Sequence, residues 1–235
     1  LNSMPSFYNH QLDLESQHIS LSPEESQHAI KARRLRVGDR VSVINGRGIT
    51  ALCSLETLDR SAASLMVESI DFTHAPPLKL SIASALPKGD RMRTMIDMLA
   101  QLGTSRFVPL RCAHSVQKCS TSMLSKLQRY ALEACKQSNN PWLMHIDQEH
   151  SVSELLETAG KEESALAYAD GMGGSLADRQ FSSHDLCVAI GPEGGFSPDE
   201  VTAFAIAQAP AIKLGSTILR TETAAVAVAA QWIAR

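Results

Sequence analysis

Ile190-Gly-Pro-Glu-Gly-Gly-Phe196 and Leu214-Gly-Ser-Thr-Ile-Leu-Arg-Thr-Glu-Thr-Ala224 hold the densest chemistry in this chain. Each stretch is entered from an apolar run and leaves into a helical pattern. Glycine admits close backbone approach and a helix start offers free N–H donors, the combination a nucleotide-like ligand needs. In the second stretch Arg220, Thr221, Glu222 and Thr223 crowd donors and acceptors at a helix N-terminus. A phosphate-binding P-loop is excluded, because the Lys-Ser/Thr pair that completes it is absent. A dinucleotide fingerprint fails on spacing and on its place along the chain. Alone, Gly191–Gly195 reads as a tight strand-to-helix turn with Ser197 capping the helix that Pro198 begins. Beside a second loop of its kind it becomes one wall of a pocket.

The elements that must hold these loops alternate. Strands are expected over Leu78–Ala85, Arg106–Leu110, Ala165–Ala169, Cys187–Ile190 and Ala211–Leu214, and helices over Arg91–Leu102, Thr121–Ser138, Ser151–Thr158, Pro198–Ala207 and Glu222–Ile233. Short apolar strands interleaved with helices predict an α/β fold with a parallel sheet covered on both faces, which places ligands beyond the carboxyl ends of its strands. Ala224–Ala230 is a run of small apolar residues, expected to be buried all round in a helix–helix or dimer contact. Ahead of Ala75-Pro-Pro77 the pattern differs. His18–Leu21, Arg40–Ile44, Ile49–Cys53 and Ser64–Val67 alternate apolar and polar, with Asn45-Gly46 and Arg47-Gly48 as a hairpin turn. One helix opens at Pro23 after Ser22 and runs to Arg34. Several short strands with one helix indicate a small β-barrel. The paired prolines predict a boundary, giving domains at 1–75 and 76–235.

The 235 residues, 44% of them apolar, place the chain among globular proteins. No stretch reaches the length of a membrane helix, and the N-terminus lacks a signal-peptide pattern. Five cysteines without a CxxC pair suit a reducing cytosol, so a cytoplasmic protein is expected. Neither they nor the eight histidines show metal-ligand spacing. A net charge of −3 hides an asymmetry. Six Lys/Arg stand against one acid between His28 and Arg47, and ten against three between Lys79 and Lys136, whereas seven acids face one lysine from Asp147 to Asp170. A basic face is compatible with a phosphate backbone. His28, Lys31, Arg33 and Arg34 cluster near a helix end, where they either grip RNA phosphates or form a solvated helix face.

GPEGGFSPDE (Gly191–Glu200) and LGSTILRTETA (Leu214–Ala224) resemble the two C-terminal signatures of the bacterial 16S rRNA uridine-N3 methyltransferases of the SPOUT superfamily. The similarity continues at Ala85-Leu-Pro-Lys-Gly-Asp-Arg-Met92, Lys136-Gln-Ser138, His28 and Leu35-Arg-Val-Gly-Asp-Arg-Val41, and so spans roughly Pro5 to the C-terminus. The chain departs from the family pattern at Asp97-Met-Leu-Ala-Gln101-Leu-Gly103, at His114-Ser115 and at Asn139 and Asn140, which bears on substrate contacts more than on the glycine loops.

The resemblance implies a trefoil-knotted methyltransferase domain behind a PUA-like RNA-binding barrel, S-adenosylmethionine as cofactor, small-subunit ribosomal RNA within the assembled subunit as partner, and a homodimer formed through the C-terminal domain. It implies cofactor contacts from Ala169, Gly191, Pro192, Glu193, Gly194, Gly195, Leu214, Gly215, Ile218, Leu219 and Thr223. Lys88 and Arg91, with Arg93, are expected to extend the RNA surface of His28, Lys31, Arg33 and Arg34. For methylation of a uridine at N3, Arg220 is expected to stabilise the anion developing on the base or to hold its phosphate. Glu222 either accepts the proton, orients Arg220, or is simply a first-turn acid favoured by the helix dipole. Thr221 and Thr223 are expected as caps. Two alternatives stand beside this reading: a SPOUT enzyme for another base or a ribose 2′-hydroxyl, and a non-catalytic assembly factor.

Overall fold

The computed structural model describes residues 4–31, 34–59, 62–181 and 185–234. The chain divides into two compact units, residues 1–75 with 135–143 and residues 76–134 with 144–235. The paired prolines mark the first change of unit, but nothing local in the sequence announces that 135–143 groups with the first.

In the first unit, strands β1 (Ser6–Tyr8), β2 (His18–Leu21), β3 (Arg40–Ile44), β4 (Ile49–Leu58) and β5 (Ala63–Phe72) form one sheet in the order β1-β3-β4-β5-β2, with helix α1 at Pro23–Lys31. Only the β1–β3 pairing is parallel. The alternation in β4 turns Ile49, Ala51, Cys53 and Leu55 inward, onto Phe7, Val41, Val43 and Leu65. Ser22 caps α1 as expected, its Oγ accepting from the Glu25 amide at 3.2 Å. In the turn between β3 and β4, Asn45 Oδ1 accepts from the amides of Arg47 and Ile49, and Gly46 and Gly48 take φ of 74° and 95°. A Cβ at Gly48 would stand 2.6 Å from Thr73 O and 2.7 Å from the Trp142 ring, so this turn is also where 141–143 packs.

In the second unit the elements are β6 (Lys79–Ser84), α2 (Asp90–Gln101), β7 (Arg106–Arg111), α3 (Thr121–Ser138, of which residues 135–138 group with the first unit), β8 (His145–Ile146), β9 (His150–Ser151) and α4 (Val152–Lys161). They continue with β10 (Ala165–Ser175), β11 (Asp185–Ile190), α5 (Pro198–Ile206), β12 (Ala211–Lys213) and α6 (Thr221–Ile233). The sheet runs β12-β10-β11-β6-β7-β8, with β9 also on β7, and every pairing is parallel. Ala83 and Ala189 face a core built with Val152, Leu155 and Phe204 of α4 and α5. The alternate residues turn to the other face, where α6 touches α2, β6 and β11. Both faces are therefore covered, as the alternation of strands and helices predicts. Strand β10 runs past Ala169 to Ser175, shifting register against β12 between Ala169 and Gly174.

At the amino end of β7, away from the glycine loops, Arg106 ties the sheet edge together. Its Nε donates to Asp147 at 2.6 Å, and Nη1 donates to both oxygens of Glu162 at 3.0 and 2.8 Å. Burial opposes the charge of Arg106, and the two carboxylates more than restore it, raising its pKa. The site is only partly buried, at 23% exposure for Arg106 and 46% for Glu162. Arg106→Ala should therefore lower unfolding free energy by roughly 1–3 kcal/mol, read from urea denaturation, through lost charge-assisted bonds. An unchanged midpoint would show that the clamp is solvent-screened.

Candidate functional site

The carboxyl ends of β10, β11 and β12 enclose a cavity of about 530 Å³. Its walls are residues 169–172, residues 190–196 without Gly194, and residues 212–219, closed by Thr221 and Ala224 of α6. The volume falls within the range of small-molecule sites, roughly 300–1,000 Å³.

The glycine loop after β11 is held from three sides. Gly195, at φ +73°, donates its amide to Pro192 O at 2.8 Å and closes the turn. Phe196 lines the cavity and packs edge-on against Phe204 and Tyr168, whose rings stack with centroids 4.6 Å apart. A Cβ at Gly191 would press to 3.2 Å from the Phe196 ring, so a side chain here would require that ring to give by a few tenths of an ångström. Ser197 and Glu200 form a reciprocal capping box on α5, as the Ser-Pro pair predicts, and Glu200 Oε1 also accepts from the Ala113 amide at 2.8 Å. His114 Nδ1 lies 3.1 Å from Gly195 O, with its ring against Gly194. The departure from the family pattern at His114 thus sits behind the loop.

The second loop is joined to the first by Thr221, whose Oγ1 donates to Gly191 O at 3.2 Å. This corrects the expectation of a cap. The N-cap of α6 is Arg220, which makes no side-chain cap bond, and Thr221 is a buried strut reaching across 30 residues. Thr223 is exposed and lies outside the cavity wall, as does Gly194. The other nine residues expected at the cofactor (Ala169, Gly191, Pro192, Glu193, Gly195, Leu214, Gly215, Ile218 and Leu219) all line it. Met172, Ile212 and Ala224 line it as well and escape sequence reasoning. Met172 follows Ala169 by three residues and stands 95% exposed at the rim.

Charge at the rim is organised around Arg91. Its Nη1 lies 3.2 Å from Glu193 Oε1 and 3.7 Å from Glu222 Oε2. Glu222 thus takes its ionic contact from Arg91 and not from Arg220, and Arg91 is drawn into the cavity rim by two carboxylates. Glu222 is 15% exposed, and its Oε2 is buried without a hydrogen-bond partner. Arg220 is exposed and has no carboxylate within ion-pair distance among the described residues. Lys88 is exposed just ahead of α2. In the first unit Lys31 and Arg34 are exposed, whereas His28 is half-buried with its ring edge-on to Phe7, centroids 6.2 Å apart. Arg33 lies outside the described residues. Burial pushes the Cys112 thiol up to about 12, and Cys119 up to about 11, so neither supplies a thiolate at neutral pH.

Gly173 decides how β12 reaches the cavity. A Cβ there would meet the Ala211 carbonyl carbon at 2.5 Å and Ile212 N at 2.6 Å, all backbone atoms that cannot swing aside. Gly173→Ala should cost roughly 1–3 kcal/mol of stability and displace the strand that feeds Leu214–Leu219. Gly171→Ala, with nothing within 4 Å of its Cβ, is the control expected to melt as the unaltered protein does. Equal melting of both variants would contradict this packing.

Comparison with known proteins agrees with this architecture. Residues 74–233 match the family model described as an RNA methyltransferase domain, and residues 21–67 match the RNA methyltransferase PUA domain. A Bacillus subtilis relative named ribosomal RNA small subunit methyltransferase E is 29% identical over 89% of this chain and 87% of its own length. A Legionella pneumophila protein crystallised in complex with the cofactor S-adenosylmethionine superposes with a TM-score of 0.88 at 25% identity, covering 98% of this chain and 97% of that one. The ribosomal RNA small subunit methyltransferase E of Neisseria gonorrhoeae shares the fold, with a TM-score of 0.89 at 24% identity over 97% and 95% of the two chains. With well over half of its length matched by the RNA methyltransferase domain model and a PUA domain match ahead of it, the chain belongs to the RNA methyltransferase family.

Proposed function

We propose that this protein transfers a methyl group from S-adenosylmethionine to N3 of a uridine in small-subunit ribosomal RNA. The observation that carries the reading is the cavity at the carboxyl ends of β10, β11 and β12, walled by backbone-rich loops inside the matched methyltransferase domain. Its residues fit the cofactor. Ile190, Ile212 and Phe196 offer apolar surface to an adenine, and Gly171 and Gly215 leave open space where a Cβ would stand, so backbone N–H and C=O groups remain within reach of a ligand. When bound, the cofactor supplies a methyl group already activated on a sulfonium. The protein's larger task is alignment.

Gly191–Gly195 and Leu214–Leu219 hold the cofactor between them, and the Thr221–Gly191 bond keeps the two loops in register. Arg220, free of any carboxylate partner among the described residues, stabilises negative charge developing on the uracil. Of the roles open to Glu222, proton acceptor is the one favoured by its buried Oε2, which accepts no hydrogen bond and has only the longer ionic contact with Arg91 at 3.7 Å. Lys31, His28 and Arg34 of the PUA unit bind substrate backbone. Two further readings rest on the same resemblance. The return of the chain from β12, at the sheet edge, to α6 against β6 and β11 at its centre supports a knotted arrangement. In α6 the residues Ala224, Ala225, Val228, Ala229 and Trp232 are buried while Ile233 stays 56% exposed, which supports a homodimer through an apolar remainder of that helix. The protein would then act in the cytoplasm on assembled subunits.

Titration calorimetry of the full chain with S-adenosylmethionine tests the cofactor assignment, with saturable binding expected. Absence of heat at millimolar cofactor would remove it. Sedimentation at twice the chain mass is the expected result for the dimer, and a monomer at all concentrations would exclude it.

A further inference from the structure

Tyr130 of α3 is half-buried, and two arginines gather on it. The guanidinium carbon of Arg93, from α2, lies 5.4 Å from the ring centroid, and that of Arg129 lies 5.8 Å away. Both arginines are exposed, and among the described residues neither has a carboxylate within 4 Å. Three other arginines of this unit, Arg91, Arg106 and Arg111, are each paired with acids, whereas Arg220, beside the methyltransferase cavity, has no such partner among the described residues. Asp97, one turn beyond Arg93, is instead engaged by Gln101 at 3.1 Å. Lys126, one turn before Tyr130 on α3, adds a third exposed cation.

Two like charges held at one ring, neither in ion-pair contact with an acid among the described residues although Asp97 and Glu133 follow one turn beyond Arg93 and Arg129, repel each other, and the ring's quadrupole offsets only a part of this. An anion would relieve the rest. A guanidinium fixed against an aromatic ring offers a flat face on which a nucleobase stacks, while its N–H edge reaches a phosphate. Paired bases in a duplex bury their faces, so this arrangement suits an unpaired stretch of RNA.

We propose that Arg93, Arg129 and Tyr130 form the centre of an RNA-binding surface on the α2–α3 face of the methyltransferase unit, taking an unpaired segment of the substrate. The inference rests on the proposed transfer of methyl groups to RNA and adds where that RNA is gripped.

The test uses the full chain with small ribosomal subunits lacking the modification, and a fluorescein-labelled 20-nucleotide single-stranded RNA of mixed sequence. Arg93→Gln with Arg129→Gln should raise KM for subunits about tenfold or more, with kcat and cofactor affinity within twofold. For the labelled RNA, the slope of log affinity against log salt should fall by about 1.4, two phosphate contacts at about 0.7 each. Tyr130→Phe keeps the ring and should match the unaltered protein, whereas Tyr130→Ala should weaken RNA binding at least fivefold. An unchanged KM and salt slope in the double variant, beside a wild-type enzyme that methylates RNA, overturns the surface alone. A wild-type protein that transfers no methyl to RNA overturns the reading beneath it.

Discussion

Arg220→Ala is expected to slow methyl transfer by about 10²–10³-fold while leaving S-adenosylmethionine affinity within a few-fold. The two effects separate because of where the residue sits. Arg220 is the N-cap of α6, exposed, and absent from the cavity wall formed by residues 214–219 just before it. Its removal leaves that wall and the Thr221–Gly191 bond in place. Under the proposed function, what disappears is a cation added to the partial positive charge of the helix start, where both would stabilise charge that exists only as the uracil loses its proton. Single-turnover rates with saturating cofactor measure the loss. A variant that transfers at the normal rate would show that Arg220 is not catalytic, and one that loses cofactor binding in proportion would make it a binding residue.

Lys136→Met should destabilise the protein by about 3–5 kcal/mol. Lys136 Nζ donates to Glu25 Oε1 at 2.9 Å, with the two side chains only 7% and 10% exposed. Removing the cation leaves a buried carboxylate whose other oxygen, Oε2, already lacks a partner. Replacing both residues, Glu25→Leu with Lys136→Met, should recover most of the loss, since no uncompensated charge remains. Urea denaturation of the two singles and the double closes the cycle. Additive losses would mean that the pair is not coupled.

Lys136 also shows where sequence reasoning reaches its limit. Counted by position, it belongs to a basic stretch that reads as an RNA face. In the folded first unit it is consumed by Glu25, 111 residues away in the chain. Arg91 behaves similarly, legible as a surface cation but engaged with Glu193 and Glu222. Charge sums record signs, and pairing across the fold decides which charges remain available. Local signals fared better. Ser22-Pro23 and Ser197-Pro198 each open a helix, because capping is settled within four residues. The glycine loops are legible because each combines a strand end, a glycine and a helix start, and eight of their expected contacts line one cavity together with Ala169 of β10. Thr221 looked like a cap since only neighbours are visible in a sequence, whereas its hydroxyl is bound to Gly191. Strands β1, β8 and β9, of three, two and two residues, are too short for any period to register.

The central claim is the reaction itself. The direct measurement is to incubate the full chain with methyl-labelled S-adenosylmethionine and small ribosomal subunits lacking the modification, then digest the RNA and identify the labelled nucleoside by mass spectrometry. Label recovered in 3-methyluridine is the predicted result. Label in another base or in a ribose methyl would contradict the N3 assignment while keeping the cofactor. No label in any RNA would contradict the enzyme and favour a non-catalytic assembly factor.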